Sequence, residues 1–271
     1  MSGGIVLMCH EAPFGRAMAR AMAARFGTEL SGVMVIDRRP GRRQRLARWL
    51  ARWRRPALER RLERAERRLA AAAARDFAAR AAPPEDWPER VALLRTADPN
   101  AEPGRDWLSA LAPELLVVTG APILRPALLA IPTGGALNLH SSLLPAYRGS
   151  QAEFWQVLEG GWDSCGLSVH MIDAGVDTGA IVLQRPLAAG PGDSPQALRM
   201  RNLLAALEAV PEAVAQLREG RAVPRPQPPG APARRARDRT PELRARLLRQ
   251  IGHPGFTDAP PEPAAAGARP A

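Results

Sequence analysis

The chain has 271 residues, and its 46% hydrophobic content is enough for one large folded unit with a substantial apolar core. No apolar run approaches the roughly 18–20 residues that a membrane span needs, and residues 5–9 are too few for a signal-peptide core. The only two cysteines, Cys9 and Cys165, exclude a disulfide scaffold and a thiolate zinc cluster. We therefore expect a cytoplasmic protein without a membrane span.

The formal net charge of +11 is concentrated in one segment. All 38 basic residues are arginine, and residues 38–80 contain 16 of them against four acids, a net charge of +12. The rest of the chain has 22 arginines and 23 acids, a net charge of −1. This distribution excludes a uniformly basic body and leaves open a basic appendage that could meet nucleic acid.

The order of apolar segments predicts strands that alternate with helices. Residues 5–9 form a continuous apolar run typical of a strand buried on both faces, and an apolar helical stripe over residues 14–26 follows. Further strands are predicted over residues 30–36, 91–95 and 115–119. The pattern predicts an α/β fold with a Rossmann-like, mostly parallel sheet flanked by helices.

Residues 38–82 predict an Arg-rich helical insertion between the second and third strands. Pro56 separates two apolar stripes, each at helical spacing. The first stripe consists of Leu46, Trp49, Leu50 and Trp53. We expect a helical hairpin that lies on the domain or mediates a homodimer, with an RNA phosphate clamp and a membrane-surface helix pair as the alternatives.

Residues 223–271 predict a C-terminal extension beyond a catalytic domain of residues 1–222. The extension begins with a Pro-rich stretch that we expect to be extended. Thr240 and Pro241 are typical of a helix N-terminus and predict a short helix over about residues 241–250. The Pro/Ala/Gly tail that follows is expected to be disordered.

Two polar blocks contain the candidate chemistry. In the first, Asn138 and His140 alternate with leucines, so a strand would project both side chains on one face. A carboxamide and an imidazole at this spacing suit a carbonyl whose oxygen becomes negative during attack. The second block is a glycine-containing loop with Asp173 and Asp177, followed by a predicted strand over residues 180–187. A carboxylate from this loop would raise the pKa of His140 and orient its ring.

The two blocks together resemble the family of 10-formyltetrahydrofolate-dependent formyltransferases. Residues 138–149 match the family pattern N-x-H-x-S-L-L-P-x-x-x-G, and residues 173–179 match its D-x-G-x-D-x-G loop. The resemblance covers roughly residues 85–222 well and residues 1–37 loosely. It does not extend to the Arg-rich insertion or the C-terminal extension.

The resemblance implies a catalytic trio of Asn138, His140 and Asp177. Asn138 and His140 would stabilise an oxyanion, and Asp177 would tune His140. It also implies 10-formyltetrahydrofolate as the formyl donor, and we propose no metal. The implied donor-binding residues are Pro122, Ile123, Leu124, Ser142, Leu143, Leu144, Pro145 and Asp173. His170 is expected to be packed in its strand.

The sequence specifies the acceptor less closely than the formyl donor. The resemblance favours a small primary amine of the amino-sugar type. Residues 10–15 read His-Glu-Ala-Pro-Phe-Gly, which is neither the G-x-G-x-x-G dinucleotide fingerprint nor the Gly-Ser-Asn-type loop of glycinamide ribonucleotide enzymes. A phosphate could still bind Arg16 and main-chain amides there. Members that act on methionyl-tRNA have a further β-barrel domain, and no strand periodicity follows residue 225.

A second hypothesis is that the protein is a binding module and not an enzyme. The Arg-rich insertion could be an RNA- or membrane-binding module on a formyltransferase scaffold that has lost its activity. Nucleic-acid binding through the insertion is less favoured, because the trio is intact. Salt-dependent RNA affinity would support this alternative.

Overall fold

The computed structural model describes residues 3–38, 41, 43, 46, 47, 49, 50 and 55–256. Within them, seven strands form one sheet and seven α-helices surround it. The strands are β1 (Ile5–His10), β2 (Leu30–Ile36), β3 (Ala92–Thr96), β4 (Leu115–Val118), β5 (Ala136–His140), β6 (Gly166–Met171) and β7 (Ile181–Pro186). The helices are α1 (Pro13–Phe26), α2 (Ala57–Ala81), α3 (Glu102–Leu111), α4 (Pro126–Leu129), α5 (Ala152–Glu159), α6 (Pro195–Arg218) and α7 (Pro241–Gln250).

The strand order is β3-β2-β1-β4-β5-β6-β7. The first five strands in this order pair in parallel, and β5-β6 and β6-β7 pair antiparallel. The predicted α/β class with a mostly parallel sheet is therefore confirmed. Parallel strands end at the same edge, so the loops after β1, β4 and β5 lie together there.

Each face of the sheet is covered by its own apolar cluster. On one face β1, β2, β4 and β5 pack against α1 and α6, and Met18 and Val210 are fully buried there. On the other face α3 and α4 cover the sheet through Leu108 and Leu128. Because the sheet is buried on both faces, its strands read as continuous apolar runs, as the opening residues of the chain do.

The second half of the predicted insertion, α2, packs on the domain. Leu62 and Ala65 are buried against α7, and Phe77 is buried against α1 and α6. The first predicted stripe is only partly described. Leu46, Trp49 and Leu50 are each more than half exposed, and Trp53 lies outside the described residues.

The C-terminal segment crosses from the sheet to α7. Its backbone pairs with Ile181 through Arg225 and with Gly149 through Arg234. Thr240 then caps α7 by accepting the N–H of Leu243. Two arginines near this end, Arg239 and Arg244, form ion pairs with glutamates of α2.

We expect Leu62→Ala to lower the free energy of unfolding by about 2–5 kcal/mol, because it leaves a cavity between α2 and α7. Leu62 is fully buried. Leu58→Ala is the matched control, since Leu58 lies one turn earlier on α2 and is 41% exposed. Its cost should stay within about 1 kcal/mol. Urea unfolding of both variants measures the difference, and equal costs would contradict the observed packing of α2.

Candidate active site

Antiparallel pairing of β5 with β6 places four polar side chains on one face of the sheet. In this register Asn138 is opposite His170, and His140 is opposite Ser168. Side chains alternate along a strand, so Leu137 points to the other face and joins the core there. The polar face at β5 and β6 is the floor of the candidate site.

The loop between β6 and β7 brings Asp177 into this polar group. Its Oδ2 accepts the N–H of Gly149 at 2.8 Å and lies 3.3 Å from Nδ1 of His140. Its Oδ1 lies 3.4 Å from Nδ2 of Asn138 and 3.5 Å from Nε2 of His170. Asn138, His140 and Asp177, the three residues predicted to be catalytic, are thus brought together, with His170 as a fourth member.

Both imidazoles bind the backbone through the nitrogen that faces away from Asp177. Nε2–H of His140 donates to the Tyr147 carbonyl at 2.9 Å, and Nδ1–H of His170 donates to the Met171 carbonyl at 2.8 Å. Each neutral ring therefore turns an unprotonated nitrogen toward Asp177, and only a protonated ring can donate to the carboxylate. A proton taken up by this cluster is shared between an imidazole and the carboxylate.

Burial and charge set the protonation of the cluster. Burial lowers the pKa of His140 below 6.5, and the opposing effects of the Asp177 carboxylate and the Tyr147 carbonyl do not restore it. Burial raises the pKa of Asp177, but the contacts with His170, His140 and Gly149 outweigh it and hold the pKa below 3.8. At neutral pH the cluster therefore contains an ionised Asp177 beside a neutral His140.

His170 is the site residue whose role the sequence does not reveal. It is 2% exposed, as expected for a residue packed in its strand, but its Nε2 also accepts a hydrogen bond from Nδ2 of Asn138 at 3.2 Å. This contact depends on the register of β5 with β6, which a single sequence does not specify. The available signal is its place in the strand that leads into the Asp177 loop.

The loop after β5 contains four of the predicted donor-binding residues. Ser142 is fully buried and its hydroxyl donates to the Ala146 carbonyl at 2.6 Å, so it supports the loop from within. The buried Leu144 is held by Ser168, whose Oγ accepts its N–H at 3.0 Å, and by Gln184, whose Nε2 donates to its carbonyl at 2.9 Å. The half-buried members are Leu143 and Pro145.

The loop after β4 contains three further predicted donor-binding residues. These are Pro122, Ile123 and Leu124. The ladder between β4 and β5 ends at Asn138, so this loop begins beside the cluster. Asn100 shapes it by donating Nδ2–H to the Ile123 carbonyl at 3.0 Å. Ile123 is 85% exposed. Within the described part of the chain, nothing accepts the main-chain N–H groups of Ile123 and Leu124.

Asp173 shapes the loop that carries Asp177. Its Oδ1 accepts the N–H of Gly175 at 3.0 Å and the hydroxyl of Thr178 at 2.6 Å. Gly179 lets the loop return to the sheet, because a Cβ there would collide with the carbonyl of Met171. The carboxylate of Asp173 is thus engaged within its own loop.

Neither cysteine is placed for thiolate chemistry. Both are unpaired and buried, and burial raises the pKa of Cys9 to about 12 and that of Cys165 to about 11. Cys165 lies just before β6 and not within a strand, because the β6 ladder begins at Gly166. The described residues contain no group of three or more His, Cys, Asp or Glu that could hold a metal ion. Nor is any helix in that part of the chain long and apolar enough to cross a bilayer.

The curated relatives of this chain match it over only part of their own length. The methionyl-tRNA formyltransferase of Aromatoleum aromaticum is 34% identical over 139 residues, which is 51% of this chain and 44% of that protein. The chain thus spans less than half the length of this curated relative.

Solved structures share the fold over most of this chain. Glycinamide ribonucleotide transformylase 1 from Symbiobacterium toebii has a TM-score of 0.54 at 25% identity, covering 83% of this chain and 93% of its own. A sugar N-formyltransferase from Shewanella sp. has a TM-score of 0.58 at 14% identity, covering 90% of this chain and 88% of its own, a likeness of fold alone.

A family model described as formyl transferase matches residues 67–214, just over half of the chain. This stretch includes Asn138, His140 and Asp177 together with both loops that surround them. The chain belongs to the formyl transferase family.

Proposed function

We propose that this protein transfers a formyl group from 10-formyltetrahydrofolate to the primary amine of a small acceptor. The observation that carries the proposal is the convergence of Asn138 and His140 on the largely buried carboxylate of Asp177. An amide donor beside an imidazole–carboxylate pair suits the attack of an amine on a formyl carbon.

The folate co-substrate supplies a formyl carbon bound to nitrogen. The acceptor nitrogen forms a new bond to this carbon, the bond to the folate nitrogen breaks, and the acceptor amine loses a proton that the folate nitrogen gains. Asn138 releases its 3.4 Å contact with Asp177 and donates that Nδ2–H to the formyl oxygen as it becomes negative. His140 accepts the proton in transit at Nδ1, which is unprotonated at neutral pH and faces the carboxylate, and the imidazolium so formed beside Asp177 stabilises this charge before the proton passes to the folate nitrogen.

The loop after β4 fits a folate. Its unpartnered N–H groups at Ile123 and Leu124 can bind the polar edge of a pteridine, and the exposed side chain of Ile123 offers apolar surface. On the other side of β5, Leu143 and Pro145 present half-buried apolar groups. We assign Pro122, Ser142, Leu144 and Asp173 to shaping these two loops and the Asp177 loop.

For the acceptor we propose an amino sugar in preference to glycinamide ribonucleotide. The loop after β1 lies at the same sheet edge as the cluster, and Arg16, its candidate cationic phosphate ligand, is already engaged. Arg16 donates Nη1–H to Glu11 at 2.7 Å and Nε–H to the Pro84 carbonyl at 3.0 Å, and Glu11 also accepts from Arg95. A phosphate would have to displace the Glu11 carboxylate, which repels it.

Methionyl-tRNA is the second candidate acceptor, because the curated relative at 34% identity is a methionyl-tRNA formyltransferase. The Arg-rich segment of residues 38–80, with its net charge of +12, would supply contacts to RNA phosphates. Formylation of this acceptor would then weaken steeply as salt is raised.

We expect the wild-type chain to release tetrahydrofolate when it is given 10-formyltetrahydrofolate and a pool of amino-sugar nucleotides, with an acceptor product that gains one formyl group in mass. His140→Ala should lower the turnover number about 100- to 10,000-fold, because the oxyanion and the proton lose their partner. Parallel reactions with glycinamide ribonucleotide and charged initiator tRNA identify the acceptor class.

His253→Ala is the control, since His253 lies beyond α7 and its ring accepts the N–H of Gly255. It should retain wild-type turnover. Formylation of tRNA alone would select the second candidate. Folate turnover without any acceptor would identify a deformylase, and the absence of folate binding would overturn the proposal in favour of the binding-module alternative.

A second prediction concerns protonation. In Asp177→Asn the pKa of His140 should fall below its wild-type value, because the carboxylate is the largest influence that raises it against burial. Imidazole NMR titration measures this, with His140→Asn providing the assignment among the four histidines. A rise in the pKa of His140 would show that Asp177 does not act on the ring as a charge.

A further inference from the structure

The C-terminal segment of residues 225–234, here called the strap, runs across both loops that meet at Asp177. At its start, Arg225 and Ile181 exchange two backbone hydrogen bonds of 2.8 Å each. At its end, the Arg234 N–H donates to the Arg148 carbonyl at 2.9 Å, and its carbonyl accepts the Ser150 N–H at 2.8 Å. The strap is therefore fixed at both ends to the elements that flank the site.

Between these anchors, the carboxamide of Gln227 joins the two loops. Its Nε2 donates to the carbonyl of Asp177 at 3.0 Å and to that of Gly179 at 2.7 Å. Its Oε1 accepts from Arg148, whose Nη2 lies at 2.8 Å and whose Nε lies at 3.2 Å. All four contacts of this carboxamide go to residues of the Asp177 loop or to the residue before Gly149.

The Asp177 loop and the segment that contains Arg148 and Gly149 determine where the Asp177 carboxylate lies. Gly149 donates its N–H to Oδ2, and Asp177 itself has φ = +55°, a conformation that residues with a side chain rarely adopt. A residue held in this region needs its neighbours to keep it there. The Gln227 bonds to the carbonyls of Asp177 and Gly179 hold the backbone of this loop, whereas the histidines contact the carboxylate.

We propose that Gln227 is a positioning residue that holds Asp177 against His140 by tying the Asp177 loop to Arg148. The proposal rests on the proposed function, in which Asp177 acts through His140. Gln227 lies outside residues 67–214, the part of the chain that the family model matches. The C-terminal segment therefore supplies a part of the site that the family match does not include.

Substitution of Gln227 separates this role from a general role of the strap. The backbone pairs at Arg225 and Arg234 do not involve the Gln227 side chain and remain in place. Gln227→Met keeps the length of the side chain and removes both halves of the carboxamide. Gln250→Met is the matched control. Gln250 is the last residue of α7, and its Nε2 also donates to a backbone carbonyl, that of Val157 in α5, at 2.8 Å.

We expect Gln227→Met to lower kcat about 10- to 100-fold, as a small displacement of a catalytic group does, with KM for 10-formyltetrahydrofolate within about twofold of wild type. Gln250→Met should leave both constants unchanged. Gln227→Asn keeps the carboxamide but is one methylene too short to reach both loops, so it should also lower kcat. This variant provides the test if Gln227→Met does not fold.

The second readout is the NMR titration of His140, which needs no turnover. The groups that act on this ring are Asp177, His170, Glu153 and the Tyr147 carbonyl. Of these, Gln227 hydrogen-bonds to Asp177 alone; Tyr147 precedes Arg148, which Gln227 binds through the guanidinium and not through the backbone. In Gln227→Met the pKa of His140 should move from the wild-type value toward that of Asp177→Asn. In Gln250→Met it should equal the wild-type value.

The two readouts distinguish failure of this inference from failure of the proposed function. If the wild-type chain transfers no formyl group but the titration shifts as expected, the positioning role of Gln227 is supported and the proposed function is wrong. If the titration of His140 in Gln227→Met and Gln227→Asn superimposes on that of the wild type, Gln227 does not position Asp177, whatever happens to kcat.

Discussion

The site depends on one largely buried carboxylate that four neighbours share. Asp177 accepts a backbone N–H from Gly149 and faces His140, His170 and Asn138. A left-handed backbone at a residue with a side chain costs roughly 1–2 kcal/mol. A hydrogen bond to a charged group contributes roughly 1.5–3 kcal/mol, so the one that Gly149 donates to the ionised carboxylate is comparable with the strain. The contacts with His170, His140 and Gly149 also lower the pKa of Asp177, although burial alone would raise it.

The carboxylate finds its partners only because β5 and β6 pair in one register. With Asn138 opposite His170, the polar residues share a face and Leu137 is fully buried on the other. A slip by one residue would turn Asn138 into the apolar core and Leu137 toward the loops. The cost of burying an unpaired carboxamide specifies this register as strongly as the packing of the leucine does.

Local patterns in the sequence predict what depends on local physics. The buried strands appear as apolar runs, and the alternation around Asn138 and His140 predicts their common face. Two groups escaped prediction because their partners are distant in sequence. His170 needs the β5-β6 register, and Gln227 contacts Asp177 and Gly179 about 50 residues away. A glutamine between prolines has no periodicity that would reveal its target.

The far end of the C-terminal segment is attached to α2 by ion pairs. Arg244 binds Glu59 and Glu66, and Arg239 also binds Glu66. Both arginines are largely buried, so removal of one partner would leave a charge with little solvent to stabilise it. Two of the acids of α2 therefore neutralise arginines of the C-terminal segment and not the arginines of their own helix. Among the described residues, Glu63 and Asp76 are then the acids of residues 38–80 that pair with arginines of the same segment.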